Sequence, residues 1–340
     1  MILHQLFEPD TATYTYILGD EGTREAVIID PVLGRRERDL EALRAAEVKL
    51  SWILDTHVHA DHVTGANALK VATGAMTAIG EACRAPGYDR ALNDGDRIVF
   101  GGESLLALAT PGHTPGSLSY LWKDCVFTGD SLLIGGCGRT DFQEGDARAL
   151  YTSITRKLFT LPESTRVLPG HDYRRRTESS IGEERRTNPR LAGVGEDAFI
   201  RLMAGLNLAP PRRIDDAVPL NRNAGVLSEG DTPWASVSPT MANQALRGGH
   251  AKLADLRDAR EHEESRPPGA VSIPDADLGR LEGLAKGCET LYIVCRTGKR
   301  SMLAARALAE RGVLNVASVA GGMLAWRESG AQVESGTGKP

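Results

Sequence analysis

Four side chains able to bind a metal, His57, His59, Asp61 and His62, fall within six consecutive positions of the run Thr56-His57-Val58-His59-Ala60-Asp61-His62. The run follows the apolar stretch 50–54. On extended chain, residues two apart point to the same side, so His57 and His59 aim together. The adjacent Asp61-His62 pair turns the chain back toward the same point. Polar side chains gathered this densely carry a desolvation cost that pairing or a metal relieves. The chemistry expected is therefore metal binding at the end of a strand, with Val63-Thr64-Gly65 opening a helix.

More ligand types follow in order: His113 in Thr110-Pro111-Gly112-His113-Thr114-Pro115-Gly116-Ser117, Asp130 in Val126-Phe127-Thr128-Gly129-Asp130-Ser131, and His171 in Val167-Leu168-Pro169-Gly170-His171-Asp172-Tyr173. Each ends a short apolar stretch in a turn marked by glycine or proline, where a rigid sheet can present ligands on loops. With these residues the chain resembles the metallo-β-lactamase superfamily over about the first two thirds of its length. The resemblance implies an αββα sandwich. Spacing alone suits two zinc ions sharing Asp130, one on His57, His59 and His113 and the other on Asp61, His62 and His171, as in glyoxalase II.

Within that superfamily, Gly138-Arg139-Thr140-Asp141-Phe142, Gly170-His171-Asp172-Tyr173, Gly182-Glu183-Glu184 and Asn188-Pro189 resemble the persulfide dioxygenase branch. That resemblance implies one Fe(II) per chain on His57, His113 and Asp130, a facial set that leaves positions open for substrate and O₂. His59, Asp61, His62 and His171 would then orient the ligands and hydrogen-bond bound water. It implies oxidation of glutathione persulfide by O₂ to sulfite and glutathione. Glutathione carries two carboxylates, so Arg139 and Tyr173 are the candidate contacts.

A second chemistry lies near the other end. The apolar run Leu291-Tyr292-Ile293-Val294 delivers Cys295 to the loop Arg296-Thr297-Gly298-Lys299-Arg300-Ser301, with a helix expected over 301–311. Backbone N–H groups of such a loop and helix start favour an anion, and Arg296, Lys299 and Arg300 add positive charge. Both effects hold a thiolate. This unit resembles the rhodanese family, as do Asp255-Leu256-Arg257 with Glu261 and the closing Val319-Ala320-Gly321-Gly322-Met323-Leu324-Ala325-Trp326. The resemblance implies sulfane-sulfur transfer through Cys295, with thiosulfate or sulfite and glutathione as partners. A phosphatase loop would be longer by a residue. Cys83, Cys125, Cys137 and Cys288 read as structural thiols, and His4, His250 and His262 as surface or satisfied histidines. Arg174-Arg175-Arg176 reads as a solvated face.

The elements that must position these groups follow from periodicity. Strands are expected over 2–18, 25–29, 52–54, 98–100, 105–109, 118–121 and 125–127, and helices over 36–46, 66–72 and, polar throughout, 174–190. Ala209-Pro210-Pro211 marks a break, and 221–239 reads as the interdomain linker. Two domains are expected: 1–230, a metallo-β-lactamase-like sandwich, and 237–340, an α/β rhodanese domain with a parallel sheet. At 340 residues the length agrees with roughly 100–200 residues per domain. Hydrophobic content of 41% and charged content of 25% allow a sizeable core without disulfides.

The net charge of -5 argues against nucleic acid and an anionic membrane surface. No stretch is long and apolar enough to span a bilayer. Glu8 and Asp10, with no basic region, do not read as a signal peptide. Five widely spaced cysteines without a CxxC suggest a reducing compartment, so a cytoplasmic location is expected. A homodimer is compatible with the sequence. The reading reached is a persulfide dioxygenase joined to a sulfurtransferase. Two alternatives stand beside it: a dinuclear zinc thioester hydrolase with a passenger rhodanese domain, and a non-catalytic sulfide-responsive binding protein.

Overall fold

A computed structural model of the chain describes residues 2–9, 11–206, 208, 214–226, 236–249, 251–311, 313 and 315–336. The chain divides into two compact units, Met1–Val226 and Leu227–Pro340. The first carries two six-stranded sheets. One is ordered β1 (Ile2–Glu8), β2 (Thr13–Gly19), β3 (Glu25–Ile29), β4 (Lys49–Leu54), β5 (Met76–Gly80) and β6 (Arg90–Leu92). The other comprises β7 (Arg97–Phe100), β8 (Glu103–Ala109), β9 (Leu118–Trp122), β10 (Cys125–Gly129), β11 (Arg166–Pro169) and β12 (Ser179–Ser180).

Alternation on the strands explains the layers. Tyr14, Tyr16 and Leu18 of β2 face the second sheet, where they meet Phe100, Tyr120 and Phe127 in the inner core. Ile17, between them, packs with Ile28 and Ile53 under Leu43 of α1 (Arg36–Ala45) and Leu69 of α2 (Ala66–Thr73). The second sheet likewise turns Val126 and Val167 outward to α3 (Ala147–Arg156), α4 (Ile181–Thr187) and α5 (Glu196–Ala204). A further helix, α6 (Ile214–Asn221), ends the unit. The result is the expected αββα sandwich.

The second unit is a five-stranded sheet, all of whose neighbouring strands run parallel. Its elements are β13 (Ser236–Val237), α7 (Pro239–Arg247), β14 (Ala251–Asp255), α8 (Ala259–Glu264), β15 (Val271–Ser272), α9 (Leu278–Ala285), β16 (Thr290–Val294), α10 (Lys299–Glu310), β17 (Val316–Val319) and α11 (Gly322–Glu328). Leu291 and Ile293 pack under α9 and α10, while Tyr292 and Val294 pack under α7 and α11. A parallel sheet needs cover on both faces, and the helices supply it.

Three sequence expectations need correction. The single strand expected over 2–18 is a hairpin, because Pro9 cannot donate to a ladder and Ala12 takes a left-handed φ of 60°. The helix expected over 174–190 shrinks to Ile181–Thr187, capped by the Ser180 hydroxyl. Before it come Arg175 at φ 59° and the short β12. The linker expected over 221–239 is narrower at both ends. Asn221 and Ala224 are buried in the first unit, Ser236–Val237 pairs with β17, and Pro239 starts α7. The break at Ala209-Pro210-Pro211 lies outside the described residues. Strands β5 and β6 have no counterpart in the sequence reading, and β11 appears in it only as the short apolar stretch before His171. Among the described residues no helix is long and apolar enough to cross a membrane.

Gly112, directly before His113, has φ 133°, and a Cβ there would lie 2.2 Å from the backbone nitrogen of Leu150. Gly74 is also left-handed, at φ 75°, but open space surrounds it. Gly112→Ala should therefore lower the melting temperature by about 4–8 °C, for a cost of roughly 2 kcal/mol. Gly74→Ala should cost about half as much, from backbone strain alone. Thermal unfolding of the two variants beside wild type checks the difference.

Candidate metal centre and thiol site

The metal loop begins where β4 ends, and its first support comes from the neighbouring strand. Parallel pairing sets Ile29 against Leu54, so Asp30 stands beside the residues that follow β4. Asp30 Oδ1 accepts from the Thr56 backbone N–H at 2.7 Å and from His59 Nε2 at 3.1 Å. Asp30 Oδ2 accepts the Thr56 hydroxyl proton at 2.9 Å. With that proton given to Asp30, Thr56 Oγ1 accepts from His57 Nδ1 at 2.9 Å. The tautomer is thereby set, and His57 Nε2 keeps its lone pair.

His113 is oriented differently. Its Nδ1–H donates to the Arg139 carbonyl at 2.7 Å, leaving Nε2 3.7 Å from Asp130 Oδ2. Asp130 follows β10 and His171 follows β11, which run parallel with Gly129 opposite Pro169. His171 Nδ1 bonds Asp130 Oδ1 at 2.6 Å, and His171 Nε2 bonds Asp61 Oδ2 at 3.0 Å and Thr13 Oγ1 at 3.1 Å. One ring thus ties two carboxylates, and Asp130 keeps Oδ2 for another partner.

The charges agree with this geometry. Burial, then the neighbouring His59 and His113, hold His57 well below the usual imidazole range, which favours the neutral, ligating form. Burial pulls His171 the same way, but the Asp130 and Asp61 carboxylates outweigh it and raise it well above that range. Burial would raise Asp130, yet His171 beside it holds the carboxyl below its ordinary range. His59 is pushed up to about 9, because Asp30 overcomes burial.

Ligand atoms of His57, His113 and Asp130 lie within 4.8 Å of one another. This mixed set of imidazole and carboxylate donors fits a divalent transition metal. A second group, His59, Asp61 and His62, is equally close. There His62 Nδ1 bonds Asp61 Oδ2 at 2.9 Å, while His59 Nδ1 and His62 Nε2 are buried without a hydrogen-bond partner. Such orphaned nitrogens are met by water or an ion. These groups differ from the two zinc sets that spacing suggested: His59 falls with Asp61 and His62 rather than with His57 and His113, and both nitrogens of His171 bond carboxylates.

The expected glutathione contacts are placed unequally. Tyr173 is exposed, its ring stacked 6.2 Å from that of His171. The Arg139 guanidinium is engaged, with Nε and Nη2 each 2.7 Å from the Asp141 carboxylate and its carbon 4.4 Å from the Phe142 ring centre. Sequence reasoning missed Asp30, Thr56 and Asn221. A signal for Asp30 existed, since it ends the apolar run 26–29 just before a proline.

In the second unit Cys295 follows β16 and is buried. The Ser301 backbone N–H and hydroxyl both lie 3.4 Å from Sγ, and the backbone of Thr297 and Gly298 donates as well. Burial raises the thiol, but these donors outweigh it and its pKa falls below the ordinary value. Arg296, Lys299 and Arg300 are exposed around the loop and have no ion pair among the described residues. Gly322 lets α11 approach: a Cβ there would lie 2.3 Å from the Cys295 carbonyl. Arg257 is buried on Asp255 and the Ser265 carbonyl, and His262 bonds Asp255 at 2.9 Å, so all three brace the domain. Cys83, Cys125 and Cys137 are buried and Cys288 is half-buried. His4 is exposed, His250 lies outside the described residues, and Arg176 of the arginine run bonds Asp172 at 3.0 Å.

Comparison with known proteins identifies both units. The metallo-beta-lactamase superfamily model matches residues 9–171, and the rhodanese-like domain model matches residues 238–329. The persulfide dioxygenase ETHE1 of Mus musculus is 46% identical over 229 residues, covering 66% of this chain and 89% of that protein. The Homo sapiens protein of the same name is 45% identical with the same coverage. The crystal structure of ETHE1 from Myxococcus xanthus matches with a TM-score of 0.64 at 50% identity, over 66% of this chain and 100% of that one. The chain belongs to the ETHE1-like persulfide dioxygenases of the metallo-beta-lactamase superfamily, with a rhodanese-like domain following. Both parts are associated with sulfur metabolism.

His171→Ala should free Asp130 Oδ1 and leave the Asp130 and Asp61 carboxylates without their shared partner. Affinity for a divalent transition-metal ion titrated into the protein should fall about 10–100-fold, as when an orienting partner is lost. Competition with a chromophoric chelator measures it.

Proposed function

We propose that the first unit is a mononuclear Fe(II) persulfide dioxygenase and the second a sulfurtransferase. The first would oxidise glutathione persulfide with O₂ and water to sulfite and glutathione. The second would move sulfane sulfur between thiosulfate or sulfite, glutathione and Cys295. The observation that carries the first part is that His57, His113 and Asp130 each have one atom tied, to Thr56, the Arg139 carbonyl and His171. Each is left with one donor atom, and these three would hold one Fe(II), leaving further coordination positions to substrate and O₂.

Bound Fe(II) would supply open coordination positions and the electrons that activate O₂. The chain's own residues do the remainder. Asp30 and Thr56 hold the His57 tautomer, and the Arg139 carbonyl holds that of His113. His171 Nδ1 donates to Asp130 Oδ1, so Oδ2 would be the oxygen left to hold the metal. Tyr173 offers a phenol at the open side, for a carboxylate of glutathione. Arg139 would join it only by sharing its guanidinium with Asp141. In the second unit the Ser301 donors stabilise the Cys295 thiolate, which would attack the outer sulfur of the donor, break the donor's S–S bond with release of sulfite from thiosulfate or of glutathione thiolate from its persulfide, and carry that sulfur as a persulfide. Arg296, Lys299 and Arg300 supply attraction for an anionic donor.

A dinuclear zinc thioester hydrolase is the second reading, and the orphaned nitrogens of His59 and His62 are the observation in its favour. Elemental analysis separates the two. One iron per chain is expected, with His57→Ala, His113→Ala or Asp130→Ala each abolishing iron binding and O₂ uptake from glutathione persulfide. Two zinc ions per chain with thioesterase activity would overturn the reading.

Cys295→Ser should remove thiosulfate–glutathione sulfurtransferase activity, because a serine hydroxyl is not appreciably ionised near neutral pH. O₂ uptake from supplied glutathione persulfide should remain nearly intact. Loss of both activities in a variant that keeps its iron would mean that Cys295 belongs to the oxidation itself.

A further inference from the structure

Asn221 lies 159 residues from His62 in sequence and touches the metal loop three times. It ends α6 and is 1% exposed. Its Nδ2 donates to the His59 carbonyl at 2.9 Å and to the His62 carbonyl at 2.8 Å, and its Oδ1 accepts from the Thr64 N–H at 2.9 Å. Among the described backbone–backbone bonds of turns and loops, none reaches either carbonyl. The carboxamide therefore supplies what secondary structure does not, in a stretch that is neither strand nor helix.

The residues after Asn221 tighten the same join. The Asn67 N–H, at the start of α2, donates to the Ala224 carbonyl at 2.9 Å. Gly225 has φ 73°, and a Cβ there would lie 2.4 Å from the Thr64 carbonyl. Thr64 in turn gives its hydroxyl to Asp55 Oδ2 at 2.8 Å. Both ends of the loop are thus fixed from outside: Asp30 holds its start at Thr56, and Asn221 holds its return from His59 to Thr64.

We infer that Asn221 is a positioning residue for the metal centre. By fixing the His59 and His62 carbonyls it sets the course of the loop that leaves His57 and carries His59, Asp61 and His62 around the metal centre. The inference rests on the metal-centre reading above. It lies outside residues 9–171, the segment that the superfamily model matches. A side chain near the end of the first unit thereby becomes part of the site.

The test uses the full chain. Asn221→Asp keeps the shape and the acceptor for Thr64 but puts an oxygen against two carbonyls; Asn221→Ala removes all three bonds. Metal-free wild type and variants are titrated with Co(II), and with whichever cation wild type is found to hold, against a chromophoric chelator well below the unfolding temperature. Because the reference is the folded, metal-free protein, a role confined to stability would leave affinity unchanged. The expected result is a 10–100-fold loss of affinity in both variants, with an altered visible Co(II) spectrum and wild-type stoichiometry at saturation. Wild-type affinity and spectrum in folded Asn221→Asp would overturn the inference. If that variant does not fold, Asn221→Ser, which retains one donor, takes its place; an intermediate loss supports the inference and wild-type affinity overturns it. A wild-type chain holding two zinc ions would refute the iron reading while leaving this comparison readable.

Discussion

Three donors converge on the buried carboxylate of Asp30: the Thr56 amide, the Thr56 hydroxyl and the His59 ring. The end of β3, the metal loop and the His57 tautomer are joined there. Removing a partner from a buried charged contact typically costs about 3–5 kcal/mol, because the remaining charge keeps its desolvation cost. Asp30 also holds a left-handed φ of 51°, a conformation that Asp tolerates better than most residues. That local strain turns the chain off β3 so that its carboxylate lies under the loop rather than along the sheet.

Strand polarity explains why the candidate ligands meet. β3 and β4 run parallel, and so do β10 and β11, within sheets that also hold antiparallel pairs. Parallel neighbours end on the same side, so residues just past each strand lie beside one another. Asp30 is brought to Thr56 in this way, and Asp130 to His171, with the Gly170 N–H bonded to the Gly129 carbonyl at 2.8 Å. The second unit repeats the rule: β16 ends at Cys295 among parallel neighbours, and the start of α10 closes over the thiol.

Much of this was legible from residue types alone, for a definite reason. His57, His113, Asp130, His171 and Cys295 each follow an apolar run and sit among turn formers, so local sequence betrays both the strand and its chemical end. The αββα layering was legible too, because alternation on strands such as β2 separates an inner from an outer face. Asn221 was not. It lies in a polar stretch that reads as a linker, and its importance comes wholly from contacts 157–162 residues away. The expected polar helix over 174–190 failed because charge without apolar periodicity does not distinguish a helix from a looped edge. The fate of Arg139 depended on Asp141, two residues on, and on Phe142, whose ring fixes the guanidinium in place.

The contact between His113 Nδ1 and position 139 is made to a carbonyl, not to a side chain. Every amino acid carries that carbonyl. The backbone after Asp130 can therefore keep steering a metal-binding ring while the side chains along 139–142 are exchanged freely. In the proposed function, metal geometry would rest on the backbone of these residues and substrate contact on their side chains. A lineage could thus retune what it accepts at this rim without losing the centre that acts on it.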